Sequence, residues 1–543
     1  MPLKKKPRPH LEIQTSGNKC YGVIRTTFRE KGEIRHTTHG TIKDMSLEQL
    51  KLIQAAFRGD VLVKGSADAH KVTESKEYGA SYAVLQLAKE LELDRMIYSR
   101  YSEQWVKDCL AMIVGRLVYS GSKLALSHRW EDTALWELCG TEGPVDVDKH
   151  CYGPMDRLLQ RQDAIQRTLA KKHLRTGTLV LYDITSSYFE GEYEDSEIVK
   201  FGYNRDGKRG HEQMVIGLLC SPEGCPVGVE VFPGNMQDAK TVLDKIAEVQ
   251  KRYGLQEIIF VGDRGMVTHA NYEKVKDIKG LNTISALTHR QIKELLERKV
   301  IQVDMFDEKE IIEVVDPEEP SRRYCLCRNP KTATREAATR KGLIEVTRKA
   351  LDRIAQSKRK SSTEKIAARV GKVLGKSKTG KFVEWAVQDG RLTWKFKIGK
   401  IEAEELIDGC YIIASDVPAG LMEKQEIVAS YKKLALVEQA FRNLKSVQLE
   451  VRPVYHKTDD RIRCHVFLCI LAYYLQWHMN QRLKPLFQSD GKNKNRRWTF
   501  EYVIERLKSL RRQRLQLEGA SCRVVCTPDN SQQKILDLFK VKL

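Results

Sequence analysis

Two short apolar runs each stop on an aspartate. They read Thr178-Leu-Val-Leu-Tyr-Asp183 and Ile258-Ile-Phe-Val-Gly-Asp263. Both are brief, β-branched and aromatic, the composition of buried strands. Carboxylates at strand ends over a crevice are where α/β folds place their chemistry. The residues around them extend the pattern. Strands are expected over 178–184, 212–220 and 226–232, with Pro222-Glu-Gly as the turn between the last two. A helix over 238–253, a strand over 257–262, a helix near 270–277 and a strand over 281–287 follow. Three strands in hairpin order, then helix, strand, helix, strand, describe a mixed sheet flanked by helices.

That order is what a ribonuclease H-like core needs, with Asp183 on its first strand and Asp263 on its fourth. The expected class is therefore α/β: a ribonuclease H-like mixed sheet with flanking helices, interrupted by a partly β insertion, plus a mainly helical N-terminal region. A third acid comes from a later segment, Tyr431-Lys-Lys-Leu-Ala-Leu-Val-Glu438-Gln-Ala-Phe-Arg-Asn-Leu-Lys445. Read as one helix, Tyr431, Leu434, Glu438 and Lys445 share a face, with Phe441 and Leu444 as apolar anchors nearby. By itself this is also what a solvated amphipathic helix looks like. The two upstream aspartates favour a site. Three carboxylates gathered at one point repel, and one would take up a proton unless cations compensate. Two Mg²⁺ ions about 4 Å apart, shared by Asp183, Asp263 and Glu438, would relieve this and serve phosphodiester chemistry. Lys445 is a candidate phosphate contact, and Tyr431 could hydrogen-bond a phosphate or pack on a sugar. For Arg264, a DNA contact and a pairing with a site carboxylate both stay open.

Charge points to the partner. The 543 residues carry a net charge of +21, and the pI is about 9.3. Such an excess asks for a polyanion, with nucleic acid first and a membrane surface second. No apolar stretch reaches the roughly 18 residues of a membrane span. The longest, Val466 to Trp477, is too short and holds two tyrosines and a glutamine. The start, Met-Pro-Leu-Lys-Lys-Lys-Pro-Arg-Pro, reads as a basic arm without the apolar core of a signal peptide. The 13 cysteines show no paired zinc spacing and suit reduced thiols in a cytosolic chain.

Other signals have plainer readings. Asp238 suits a helix N-cap better than a metal ligand. Asp206 also lies near the proposed site, Thr185 suits a local backbone role, and His211 and His456 have no partner at metal-ligand spacing. Gly371-Lys-Val-Leu-Gly-Lys-Ser377 imitates a P-loop but is one residue short between its glycines and follows no strand, so a basic loop is expected.

The chain resembles the DDE transposases of bacterial insertion sequences, in the IS4-like superfamily and its IS1634-type branch. The superfamily signature Tyr-x2-Arg-x3-Glu-x6-Lys is matched by Tyr431, Glu438 and Lys445. Leu434 stands where the family has arginine, and Arg442, one turn beyond the glutamate, is the candidate substitute for that phosphate contact. Asp183-Ile-Thr185 and Asp263-Arg264-Gly265 match the first two acid motifs. Phe201-Gly-Tyr-Asn-Arg-Asp206, Gly234-Asn-Met-Gln-Asp238 and Arg452-Pro-Val-Tyr-His456 match further ones. The resemblance implies cut-and-paste transposition: metal-dependent hydrolysis at the element ends, then strand transfer into target DNA. It implies Mg²⁺, with Mn²⁺ as a substitute. It implies double-stranded DNA partners, namely terminal inverted repeats and target, a homodimer in the synaptic complex, and a cytoplasmic, nucleoid-associated location. Two alternatives stay open: a ribonuclease H-like DNA nuclease without strand transfer, and an inactive DNA-binding remnant.

The expected organisation has six parts. They are a basic arm and β-hairpin region (1–75), a helical DNA-binding region (76–174) and the first part of the catalytic core (175–289). An insertion with a basic arm (290–420), the glutamate-bearing second part of the core (421–485) and a basic C-terminal tail (486–543) follow.

Overall fold

The computed structural model describes residues 8–543 except 18, 31, 61–70, 176, 204–209, 237–249, 265, 268–271, 275, 358–360, 448, 453, 490–496 and 518–519. The chain divides into two compact units. One comprises residues 1–83, 129–144 and 486–543, the other 84–128 and 145–485.

The first unit opens with β1 (Pro9–Ser16), β2 (Lys19–Glu30) and β3 (Glu33–Ile42), an antiparallel sheet in that order. The expected hairpin is β2–β3, closed where Glu30 pairs with Glu33. Helix α1 (Leu47–Arg58) follows. Its capping box joins Ser46 and Gln49, so two N-terminal N–H groups that a helix leaves orphaned are satisfied. Strand β4 is Lys71–Glu77. The region expected to be helical, 76–174, includes α2 (Gly79–Glu90), whose first residues belong to the first unit, and α3 (Gln104–Val118) and α4 (Gly153–His173), which belong to the second.

The second unit is built on eight strands: β5 (Thr178–Tyr188), β6 (Gln213–Cys220), β7 (Pro226–Pro233), β8 (Ile258–Gly262), β9 (Leu281–Ala286), β10 (Ile312–Asp316), β11 (Glu319–Arg328) and β14 (Cys410–Ser415). The spatial order is β10-β11-β14-β9-β8-β5-β6-β7. β5, β8 and β9 run parallel, and every other pairing is antiparallel. All eight residues of β6 are buried, as expected of a strand covered on both faces. Helix α4 packs against β7. Gly217 in β6 is needed for close approach, because a Cβ there would stand 2.2 Å from Tyr182 Oη.

The insertion, residues 290–420, is partly β and partly helical. Its strands β10, β11 and β14 do not form a sheet of their own; they widen the central sheet, with β14 pairing on β9. Residues 301–311 hold a 3₁₀ turn at Val303–Met305, and β10 starts at Ile312. The cause is local. Asp307 Oδ1 accepts from the backbone N–H of Lys309 and Glu310, a turn that competes with a ladder. α5 (His289–Glu297) precedes β10, and between β11 and β14 lie α6 (Pro330–Ala355), α7 (Thr363–Ser377) and the hairpin β12 (Val383–Gln388) with β13 (Arg391–Phe396). The basic arm has its own core, made of Leu351, Ile354, Ile366, Val370, Leu374, Val383 and Leu392. The glycine-rich stretch Gly371–Ser377 is part of α7 and not a loop. A continuous helix has no cradle of loop N–H groups for phosphates.

The helix expected over Tyr431–Lys445 is three pieces. α8 (Lys424–Lys432) ends one residue before α9 (Leu434–Arg442), and a π-helical turn, Asn443–Val447, follows. α10 (Asp459–Ser489) is the long apolar helix. Residues beyond 486 do not form a loose tail. α11 (Phe500–Lys508), β15 (Arg511–Leu517), β16 (Ala520–Val525) and α12 (Asn530–Phe539) belong to the first unit, where β15 sits between β16 and β4. Alternation in this segment is masked in sequence by its arginines. They are used for pairing: Glu137 meets both Lys76 of β4 and Arg512 of β15. No helix among the described residues is long and apolar enough to cross a membrane. Asp206, Asp238 and most of the helix expected over 238–253 lie outside the described residues, as do residues 270, 271 and 275 of the one expected near 270–277, where 272–274 are helical.

Candidate active site

The register of two parallel strands brings the first two acids together. β5 and β8 pair from Thr178 with Ile258 up to Tyr182 with Gly262. Asp183 and Asp263 are each the next residue. Adjacent strands lie about 4.8 Å apart, and in-register positions of a parallel pair face the same side. Asp183 is half-buried and Asp263 exposed. The Ile184 N–H donates to Asp183 Oδ1 at 2.7 Å, which fixes that carboxylate. Thr185 beyond it is buried within β5. Behind this strand, burial and then the Asp183 charge push the Cys220 thiol up, so it stays protonated.

The later segment reaches the aspartates through Tyr431. Its hydroxyl donates to Asp263 Oδ1 at 3.3 Å. Burial raises the Tyr431 ionisation well above that of a solvated phenol. The Asp263 and Glu438 carboxylates add to this, and Arg264 opposes it. Tyr431 is thus held as a neutral donor within the field of three of the expected site residues. α8 packs against β8 and β9, and α9 packs against β5 and β6. Glu438 is on an exposed position of α9. Ligand oxygens of Asp183, Asp263 and Glu438 do not all converge to within 4.8 Å of one another. Like charges without a cation between them are expected to stay apart.

The remaining expected residues are spread along the same elements. Arg264 is exposed directly after Asp263 and also acts on His289, whose ionisation is lowered first by burial and then by this charge. Arg442 closes α9 at an exposed position, and Lys445 is half-buried in the π-helical turn. The π-turn, wider than an α-turn, means that Tyr431, Glu438 and Lys445 do not share the face of one straight helix. Leu434 is buried and starts α9. His211 lies against Tyr188, with ring centroids 5.6 Å apart.

The sequence reading missed a buried basic cluster. Lys123 Nζ stands 2.7 Å from His465 Nδ1, and the Arg116 guanidinium donates to the carbonyls of Gly121 and Glu450. Burial, with Arg116 beside it, brings Lys123 down to about 8. His456 packs on His465, and burial with the neighbouring cations takes it down to about 3. Nothing in local sequence flags this cluster, because its members come from two stretches more than 300 residues apart, around Arg116–Lys123 and Glu450–His465.

The family described as transposase DDE domain matches residues 176–475, more than half of the chain. No curated protein matches. Among solved structures, a piggyBac transposase in a synaptic complex with hairpin DNA is similar at 8% identity and a TM-score of 0.38, covering 79% of each chain. The matched span runs from just before β5 into α10 and includes Asp183, Asp263 and Glu438, so this chain belongs to the transposase DDE domain family.

Proposed function

We propose that the chain is a cut-and-paste DNA transposase of the IS4-like, IS1634-type branch, working with Asp183, Asp263 and Glu438 on a ribonuclease H-like core. The observation that carries this is the register of β5 and β8, which puts Asp183 and Asp263 one step past a shared pair while Tyr431 bonds Asp263. The order β7-β6-β5-β8-β9, with β5 and β8 parallel, supports the core assignment.

The donor set suits a hard divalent cation. All three side chains offer only carboxylate oxygens, and Asp263 and Glu438 are open to solvent, as Mg²⁺ with its retained waters requires. Held by these residues, Mg²⁺, or Mn²⁺ in its place, supplies charge for an attacking and a leaving phosphodiester oxygen. The protein's own groups orient. Ile184 N–H fixes Asp183, and Tyr431 occupies one oxygen of Asp263. Arg264, Arg442 and Lys445 are the phosphate contacts nearest the acids in sequence and along the helix. Farther out, α6 and α7 expose Lys341, Arg348, Lys349, Lys365, Arg369 and Lys372, a cationic surface for a DNA backbone. The partners are element ends and target DNA, with two protomers in the synaptic complex. The compartment is the cytoplasm, at the nucleoid.

The test is cleavage of a plasmid carrying the gene's own flanking DNA, with Mg²⁺, by wild type and Glu438→Ala. Breaks at both flanks followed by joining, absent from the variant, are expected. Unspecific nicking without joining would replace transposase by nuclease. Tight DNA binding without cleavage would replace it by an inactive remnant.

A further inference from the structure

A second cluster of ligand-type side chains lies within the unit that holds the sheet. His173 is the last residue of α4, Cys225 closes the β6–β7 turn and His478 is on α10. One ligand atom from each lies within 4.8 Å of the others. Among the described residues this is the one trio of His, Cys, Asp or Glu so arranged. We propose that His173, Cys225 and His478 bind a Zn²⁺ ion that braces the helix bearing Glu438.

The donor chemistry selects the ion. Two imidazoles and a thiolate are zinc ligands, whereas Mg²⁺ takes oxygen. In a tetrahedral site the donor atoms stand roughly 3.3–3.8 Å apart, so small side-chain rotations complete it. With three protein ligands, water takes the fourth position. A separate observation also points to a ligand. His478 Nε2 is buried without a hydrogen-bond partner, and a buried polar atom in that state calls for an explanation. The surroundings hold the rings in place. Tyr474 Oη stands 3.1 Å from His173 Nε2, and Trp477 and Tyr474 contact the His478 ring edge-on at 4.9 and 4.6 Å. Such neighbours orient metal-bound imidazoles. Burial lowers the ionisation of His478 to about 4 and that of His173 in the same direction. Binding would release the Cys225 thiol proton to solvent as the Zn–S bond forms.

The consequence for the rest of the unit follows from the turn. Gly224, at φ +81°, sits so close to α9 that a Cβ on it would stand 2.9 Å from Leu436 Cβ. The Trp477 indole N–H donates to the Glu223 carbonyl at 3.3 Å, tying the same turn to α10. Fixing Cys225 therefore fixes the surface on which α9 rests, two residues from Glu438. The cluster stands on its own residues and does not depend on the catalytic reading.

The test uses the full chain, stripped with chelator and titrated with Zn²⁺ or Co²⁺ in excess Mg²⁺. One equivalent should bind. The Co²⁺ form should show thiolate-to-metal absorption and tetrahedral d–d bands, and Zn²⁺ should raise Tm. Cys225→Ser and His478→Gln, checked for folding by near-UV circular dichroism, should each lose the absorption and the Tm rise. X-ray absorption of the wild-type Zn²⁺ form should give one sulfur and two nitrogens, a readout independent of how the variants fold. An oxygen-only shell, two or more sulfurs, or full binding by the Cys225→Ser/His478→Gln double variant would overturn the proposal.

Discussion

The acid crevice and the His173–Cys225–His478 cluster lie in one unit and are built in opposite ways. The crevice is made of oxygens, two of its three acids are exposed, and its first pair is set by strand register. The cluster is made of nitrogen and sulfur, has one buried and two half-buried members, and takes them from a helix end, a turn and the flank of a long helix. An open oxygen set holds a cation that must exchange waters with substrate. An enclosed N/S set holds one that stays. If both proposals hold, donor type and solvent access together separate a working site from a brace.

The sharpest way to break the comparison is to remove an acid. Glu438→Ala or Asp263→Asn should lower Mg²⁺-dependent cleavage by roughly a thousandfold or more, about 4 kcal/mol of barrier. DNA affinity in a filter or gel assay should change little. Equal loss of binding would deny the acids their separate role. Metal exchange sharpens it further. After chelation, Mg²⁺ alone should restore cleavage in part without raising Tm, and Zn²⁺ alone should raise Tm without restoring cleavage. A single ion doing both would merge the two sites.

The pH dependence probes a third environment, the buried basic cluster. His456 is held down to about 3 in the folded chain, against an ordinary imidazole value near 6.5. Between those values the unfolded chain binds the proton and the folded chain does not, so stability falls as pH drops below about 6.5. From pH 6.5 to pH 5 the loss attached to this residue should be about 2 kcal/mol. Denaturant titrations at both values should show a smaller drop for His456→Gln. The mildest change is Tyr431→Phe. Losing the 3.3 Å bond to Asp263 should cost about 1 kcal/mol, near a fivefold fall in cleavage rate. A null result in single-turnover kinetics would make Tyr431 a packing residue.

Legibility in the sequence followed the range of the interaction. The runs ending in Asp183 and Asp263 could be read because a buried strand is a local, apolar pattern, and strands β5 to β9 begin within a residue or two of expectation. The hairpin at Glu30–Glu33 was legible from short β-branched runs flanking a polar glycine turn, although β3 is largely exposed. The break at Lys433 and the π-turn at Asn443–Val447 were not, because helical spacing alone does not register a shift in winding. Nor was the pairing of β15 with β4, which joins segments far apart in the chain through arginines that look like a solvated tail.

The sequence by itself determined the strands of the sheet region, which of them carry Asp183 and precede Asp263, and the strongly basic character of the chain. These rest on side-chain chemistry and short-range periodicity. Tertiary structure alone decided that the insertion's strands extend the central sheet, that residues after 486 fold with the first unit, and that His173, Cys225 and His478 meet. Each of those depends on closing a long loop between residues with no local mark of their partner, a cost and a reward that only the packed chain reveals.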